Sequence, residues 1–197
     1  MKIVENFKTF LWSLRMRRIA KKLRRRRQMI GLDLAKSVGI YFYYDGKESY
    51  DTANKFANYL KNRGISVVML AYSNNKEKPS EEVIESPNFG IFVRPQLGFN
   101  RIPHDDTVNT FVKQPFDIFF DLSLTDHFQN LYVANASHAT FKVGRASEWA
   151  LKIFDFTLEA KDLADMDEFI EIILKYFEIF NQSEKTIDFK NIKYADK

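Results

Sequence analysis

Nine cations fall within one short run, RMRRIAKKLRRRR: Arg15, Arg17, Arg18, Lys21, Lys22, Arg24, Arg25, Arg26 and Arg27. The chemistry open to them is capture of phosphate. A guanidinium presents a planar fork that holds two oxygens at once, whereas an ammonium acts as a point charge. The choice of cation points to the fork. Residues 1–30 hold seven Arg and four Lys, and the remainder holds four Arg and fifteen Lys. A chain that otherwise prefers Lys changes to Arg where geometry would matter. Wound as a helix, these side chains fall on several faces, which suits a helix laid in a nucleic-acid groove or threaded into folded RNA. These nine are the expected nucleic-acid contacts, with RNA or the ribosome as partner.

A second set of residues could do acid–base work. His127 stands beside Asp126 and close in sequence to Asp121, and an imidazole among carboxylates can move protons at neutral pH. The simpler reading is a helix-terminus histidine with structural hydrogen bonds. Ser123 and Thr125 stand where a helix cap belongs. His104-Asp105-Asp106 reads as a cap before a helix more readily than as a site for a hard metal. No HExxH, GxSxG, GxGxxG or Walker pattern occurs, and Gly46 stands alone after the first strand. The sequence therefore assigns no catalytic residue, no metal and no cofactor.

Alternating elements must position these groups. SVGIYFYYDG reads as a buried strand, DTANKFANYLKNRG as a helix ending at Gly64, and ISVVMLAYS as a second strand. Strand, helix, strand at this length is a right-handed parallel crossover. NFGIFV is a third strand, and RPQLGFNRIPHDD is irregular before a short helix over 107–113. FDIFFDLS is a strand, 125–136 a helix, ATFKVGR a strand and LKIFDFTLE a further strand. From 163 to 180, Met166, Ile170, Ile173, Phe177 and Phe180 recur in threes and fours, the period of a helix. The fold class is α/β: a single Rossmann-like, mostly parallel sheet flanked by helices, spanning 37–181. A polar tail is expected over 182–197 and a basic amphipathic helical arm over 1–30. Ligands of such sheets sit beyond the strand C-termini where the strand order reverses. The expected pocket there is lined by Asp45, Ser49 and Asp51 on one side, facing Asp121, Ser123, Thr125 and His127.

The arm reads as helical over 2–29. Ile3, Val4, Phe7, Phe10, Leu11 and Leu14 form one apolar stripe. Trp12, Met16, Ile19, Ala20 and Leu23 form another, on nearly the opposite side, so two different contacts or a bend near Ser13 are expected. Charge divides sharply. Residues 1–30 carry eleven cations against Glu5, a net +10, and the other 19 basic and 25 acidic residues leave −6. A basic arm on an acidic body is the usual form of an appended polyanion-binding element. Its apolar half followed by a basic half also fits an anchor on anionic lipid, or a protein partner on the apolar stripe. The chain has no Cys, which fits a reducing cytoplasm, and no apolar run reaches the roughly 18 residues needed to span a bilayer.

The pair FDIFFDLS and ATFKVGR, with a helix between them, resembles the acceptor-side half of heptosyltransferase-like glycosyltransferases, as does GIYFYYDGKESYDTANKFANYL. The resemblance covers about residues 37–145. It implies a base at the start of the first helix, where Asp51 stands with Tyr50 in place of the family's Gly. A degenerate transferase using Asp51 or His127 is the activity it would imply. Over its whole length the chain is similar to a family of uncharacterised Bacteroidetes proteins, a resemblance that carries no activity.

Overall fold

The structure is a computed structural model. It describes residues 2–79, 88–159, 163 and 165–186, with side chains described for 11–79, 88–159, 163 and 165–181. Along the chain come α1 (Lys2–Lys22), β1 (Ser37–Tyr43), α2 (Lys47–Asn62), β2 (Ser66–Ser73) and β3 (Phe89–Val93). Then follow α3 (Asp106–Lys113), β4 (Ile118–Asp121), α4 (Phe128–Ala136), β5 (Phe141–Arg145), α5 (Ala150–Ile153), β6 (Phe156–Leu158) and α6 (Met166–Thr186).

The six strands form one sheet in the order β3-β2-β1-β4-β5-β6, and every neighbouring pair is parallel. This is the doubly wound order, with its reversal between β1 and β4. Val38 lies opposite Val67 on one side and Ile118 on the other. A sheet covered on both faces needs strands that are apolar on both faces. Accordingly Val38, Ile40 and Phe42 pack toward α2 and α6, while Tyr41 packs with α1, α3, α4 and α5. Gly39 shares the second face because nothing larger fits: a Cβ there would lie 2.6 Å from the Phe116 ring.

On the first face, Ala53, Phe56, Ala57 and Leu60 form the buried stripe of α2, and Phe169, Ile170, Ile173 and Phe177 that of α6. Phe177 meets Phe120 edge-on at 5.4 Å. Gly64, at φ 82°, takes the left-handed turn that ends α2. On the second face, α1 lies against α4 and α5. Trp12 packs edge-on against Phe128 at 5.0 Å and Trp149 at 5.3 Å, and the Asn135 side-chain amide donates to the Met16 carbonyl at 2.9 Å.

Four elements differ most from the sequence expectation. Helix α2 starts at Lys47, four residues before the expected Asp51, so Asp51 does not open it. Helix α1 stops at Lys22 instead of reaching residue 29. Like charges on adjacent turns oppose a helix through Arg24–Arg27, and Arg25 gains better partners by leaving it, as described below. LKIFDFTLE is not one strand. Ala150–Ile153 forms α5, where the Ala150 N–H donates to Ser147 Oγ, and only Phe156–Leu158 joins the sheet. Helix α6 continues to Thr186, past the expected start of a tail at 182, and 187–197 lie outside the described residues. Among the described residues no helix is long and apolar enough to cross a membrane.

Candidate functional site: a divided crevice and a cationic arm

At the C-terminal ends of β1 and β4 the chain departs to opposite sides, and a crevice opens there. It is divided. The rings of Tyr43, from the end of β1, and His127, from the start of α4, stack at 4.7 Å and 20° and stand between two hollows. The first, of about 520 Å³, opens toward α2 and α6 and is lined by Asp45, Glu48, Ser49, Thr52, Asp165 and Asp167 among others. The second, of about 770 Å³, opens toward the loops after β2 and β3, with Tyr72, Arg94, Phe99, Arg101 and Phe128 in its wall.

Of the residues expected in the pocket, Asp45, Ser49, Ser123, Thr125 and His127 do line the first hollow. Asp51 does not. It is an exposed residue on α2 outside the lining, because one helical turn brings Glu48 and Thr52 to the hollow instead. Asp121 also fails to line it, being buried at the end of β4. Its carboxylate accepts from the Ser123 N–H at 3.0 Å and from the Asn130 side-chain amide at 2.8 Å. Burial pushes the carboxyl up to about 6, against the opposing hydrogen bonds from Ser123 and Asn130. Neither Asp51 nor Asp121 therefore joins His127 in the lining of the crevice.

His127 is half-buried, which lowers its pKa, and the nearby Asp126 charge opposes that shift. Its Nε2 lies 2.9 Å from Thr125 Oγ1, and its backbone N–H donates to Asn130 Oδ1 at 2.8 Å. Asn130 thus closes the start of α4 in place of the expected Ser123 or Thr125. The Ser49 hydroxyl donates locally to the Gly46 carbonyl at 2.8 Å. With Asp45, Glu48, Asp165 and Asp167 around it, the first hollow repels the phosphate that such a crevice holds in nucleotide-binding relatives of this fold. His104-Asp105-Asp106 is a cap: Asp105 accepts from the Thr107 N–H at 2.8 Å at the start of α3. Among the described residues no cluster of His or carboxylate groups could hold a metal ion.

The arm is fixed to the domain. Trp12 and Met16 are buried, so part of the second apolar stripe is covered by the protein itself. Of the first stripe, Leu11 and Leu14 are half-buried, and the side chains of Ile3, Val4, Phe7 and Phe10 lie outside the described residues. After α1 the chain passes the starts of β5 and β6. Arg25 turns inward there: Nη1 donates to the carbonyls of Ala139 at 3.1 Å and Thr140 at 2.9 Å, and Nη2 to Asp155 Oδ1 at 2.8 Å. Its side chain is only 5% exposed. Arg25 therefore clamps the arm and has no face left for nucleic acid, unlike the expectation. Beside it Lys142 is buried with Nζ donating to the Ala134 carbonyl, and burial brings its pKa down to about 6. Arg15, Arg17, Arg18, Lys21, Lys22, Arg24, Arg26 and Arg27 all remain exposed.

Sequence reasoning passed over Arg94, Phe99 and Arg101. A signal was present: outside the arm the chain has four Arg, and two of them bracket RPQLGFNR. In a body that prefers Lys, that concentration of Arg singles out this irregular stretch.

No curated protein sequence matches this chain. The model of a family of unknown function, DUF6913, matches residues 8–180, a stretch that takes in the arginine run as well as the whole sheet, and the chain belongs to that family.

Proposed function

We propose that this DUF6913 protein is a non-catalytic, RNA-binding accessory factor of the cytoplasm, with ribosomal RNA as its target. The reading rests on one observation above all. Trp12, Met16 and Arg25 fasten the arm to the domain, and this leaves eight cations exposed along one anchored segment. Cations held on a folded surface lose less freedom on binding than those of a loose tail. Two of the apolar side chains that a lipid anchor would insert, Trp12 and Met16, are instead covered by α4 and α5, which favours RNA over membrane. A transferase reading has little support, since Asp51 stands outside the crevice.

Binding of labelled ribosomal RNA fragments tests this. If about six phosphates are neutralised, the slope of log Kd against log salt is about 4, a loss of a few hundredfold between 50 and 200 mM. Changing Arg15, Arg17, Arg18, Arg24, Arg26 and Arg27 to Gln should abolish most of that slope without unfolding the protein. A salt-independent affinity, or binding to anionic vesicles and not to RNA, refutes the proposal.

A further inference from the structure

The second hollow is built unlike the first. Its wall is rings and guanidinium groups: Tyr43, Tyr72, Phe99 and Phe128, with Arg94 and Arg101. The loop that carries Phe99 and Arg101 is well defined by its own bonds. Leu97 bridges Pro103, the Gly98 N–H donates to the Ile102 carbonyl at 2.9 Å, and the Arg101 N–H to the Gly98 carbonyl at 2.9 Å. A Cβ at Gly98 would meet the exposed His104 ring, which would have to swing aside. Arg101 adopts φ 61°, a left-handed conformation that residues with a side chain avoid and that concentrates at functional sites. This conformation goes with a guanidinium placed 4.5 Å from the centre of the Phe128 ring, at the wall of the hollow. Phe99, at the loop tip, is 65% exposed.

Rings that stack bases beside arginines that hold phosphate are the two components of single-strand recognition. The volume of about 770 Å³ is within the range of small-molecule sites. Asp126, the one carboxylate in the wall, is already paired with Arg145 at 3.1 Å. The same loop forms, on its other side, a groove against α1 lined by Leu11, Leu14, Arg15, Arg18, Asn100 and His104. A strand leaving the hollow over the loop therefore meets the arm.

We propose that this hollow holds an unpaired nucleotide of an RNA strand, its base against the exposed Phe99 ring and its phosphates on Arg94 and Arg101, with the adjoining backbone carried onto Arg15 and Arg18. The inference deepens the RNA reading above and rests on it. It makes the protein a reader of single-stranded or bulged RNA, where the arm alone would accept any helix.

Fluorescence anisotropy with an unstructured 12-nucleotide RNA and with a perfect duplex of the same sequence tests it. The wild type should bind the single strand about tenfold or more tightly than the duplex. The double variant R94A/F99A alters two exposed side chains, so folding is kept, as circular dichroism will check. It should lose about tenfold or more on the single strand and stay within about twofold on the duplex. R15Q/R18Q should weaken both. Equal binding of strand and duplex, or a double variant that binds the strand as the wild type does, overturns the nucleotide site and leaves the arm reading standing. Binding to neither RNA overturns both. Titration with adenosine and uridine monophosphates supplies the remaining arm: free nucleotides that bind as tightly as the strand overturn the RNA assignment of the hollow.

Discussion

The two faces of the sheet are packed alike and charged differently. On the first, α2 and α6 cover a core of Phe56, Phe120 and Phe177, and the crevice above them gathers Asp45, Glu48, Asp165 and Asp167. On the second, α1, α3, α4 and α5 cover Tyr41, Phe111 and Phe119, and the crevice above them gathers Arg94 and Arg101, with the arm's cations beside it. One stacked pair, Tyr43 and His127, separates the two. The charge division of the sequence, +10 in the arm against −6 in the rest, thus reappears as a division in space. A doubly wound sheet has one reversal point but two sides to it. Here carboxylates block one side to anions and arginines open the other. In the proposed RNA reading, this arrangement would orient the polyanion as well as attract it.

That contrast depends on the arm staying in place, and the largest expected effect is at its clamp. Arg25→Ala takes from Asp155, only 13% exposed, its nearest cation, leaving it Arg27 at 3.9 Å and the Lys142 N–H at 2.9 Å, and removes a donor from the carbonyls of Ala139 and Thr140. Breaking a buried pair by removing one member costs about 3–5 kcal/mol. Urea denaturation should show that loss, with a smaller one for Arg25→Lys, which restores charge but not the fork. Arg24→Ala and Arg26→Ala, at exposed neighbours, should stay within about 0.5 kcal/mol. If Arg25→Ala is as stable as Arg24→Ala, the basic face is not anchored as described.

The same residue shows what the sequence could and could not disclose. Periodicity and apolar runs were enough for the parallel sheet, because each strand must be apolar on both faces and each helix on one. The arm's charge and its preference for Arg were also legible, since both are counts. Arg25 was not distinguishable from Arg24 or Arg26, because its partners are two carbonyls and an aspartate more than a hundred positions away. Asp51 was placed at the crevice by proximity in sequence, but the 100° step of the helix turned Glu48 and Thr52 to it instead. The ring-and-arginine hollow was the least legible part. It is assembled from the ends of β1 and β2, the loop after β3 and the first turn of α4, four places that no local pattern connects.

The boundary between the faces should respond to pH. Asp121 ends β4, bonded to Asn130, whose side chain also accepts from the His127 N–H, and burial raises its carboxyl from 3.8 to about 6. A group whose pKa is raised in the folded state favours folding fully below its unfolded value and loses that contribution as pH rises through its folded value. Stability from this residue therefore declines between about pH 4 and pH 6, by up to about 3 kcal/mol at 1.36 kcal/mol per unit. Asp121→Asn removes the ionisation. The difference in unfolding free energy between wild type and variant, followed by urea titration from pH 4 to 7, should move in the variant's favour over that window. A pH-independent difference would mean that Asp121 is solvated and that the end of β4 is not buried as described.

The smallest effect belongs to the acidic hollow, and it is the sharpest control on the comparison. Asp167 accepts from Thr52 Oγ1 at 2.9 Å and Lys55 Nζ at 3.1 Å, and these hydrogen bonds hold its carboxyl below the usual carboxylate range. Thr52→Val keeps the shape and removes the first donor. Lys55 is 80% exposed and Asp167 48%, so water replaces most of what is lost, and the expected cost is about 1 kcal/mol or less. A carboxylate with a depressed pKa stabilises the fold above its unfolded value and ceases to as pH falls through the folded one. The deficit of Thr52→Val should therefore be present at pH 7 and fade as the solution is acidified below about pH 4. RNA affinity should not move by more than about twofold, because a hollow that repels phosphate has no part in binding it. A larger change in affinity, in either direction, would show that the acidic side contacts the RNA, and the contrast between the two hollows would then have to be redrawn as one continuous site.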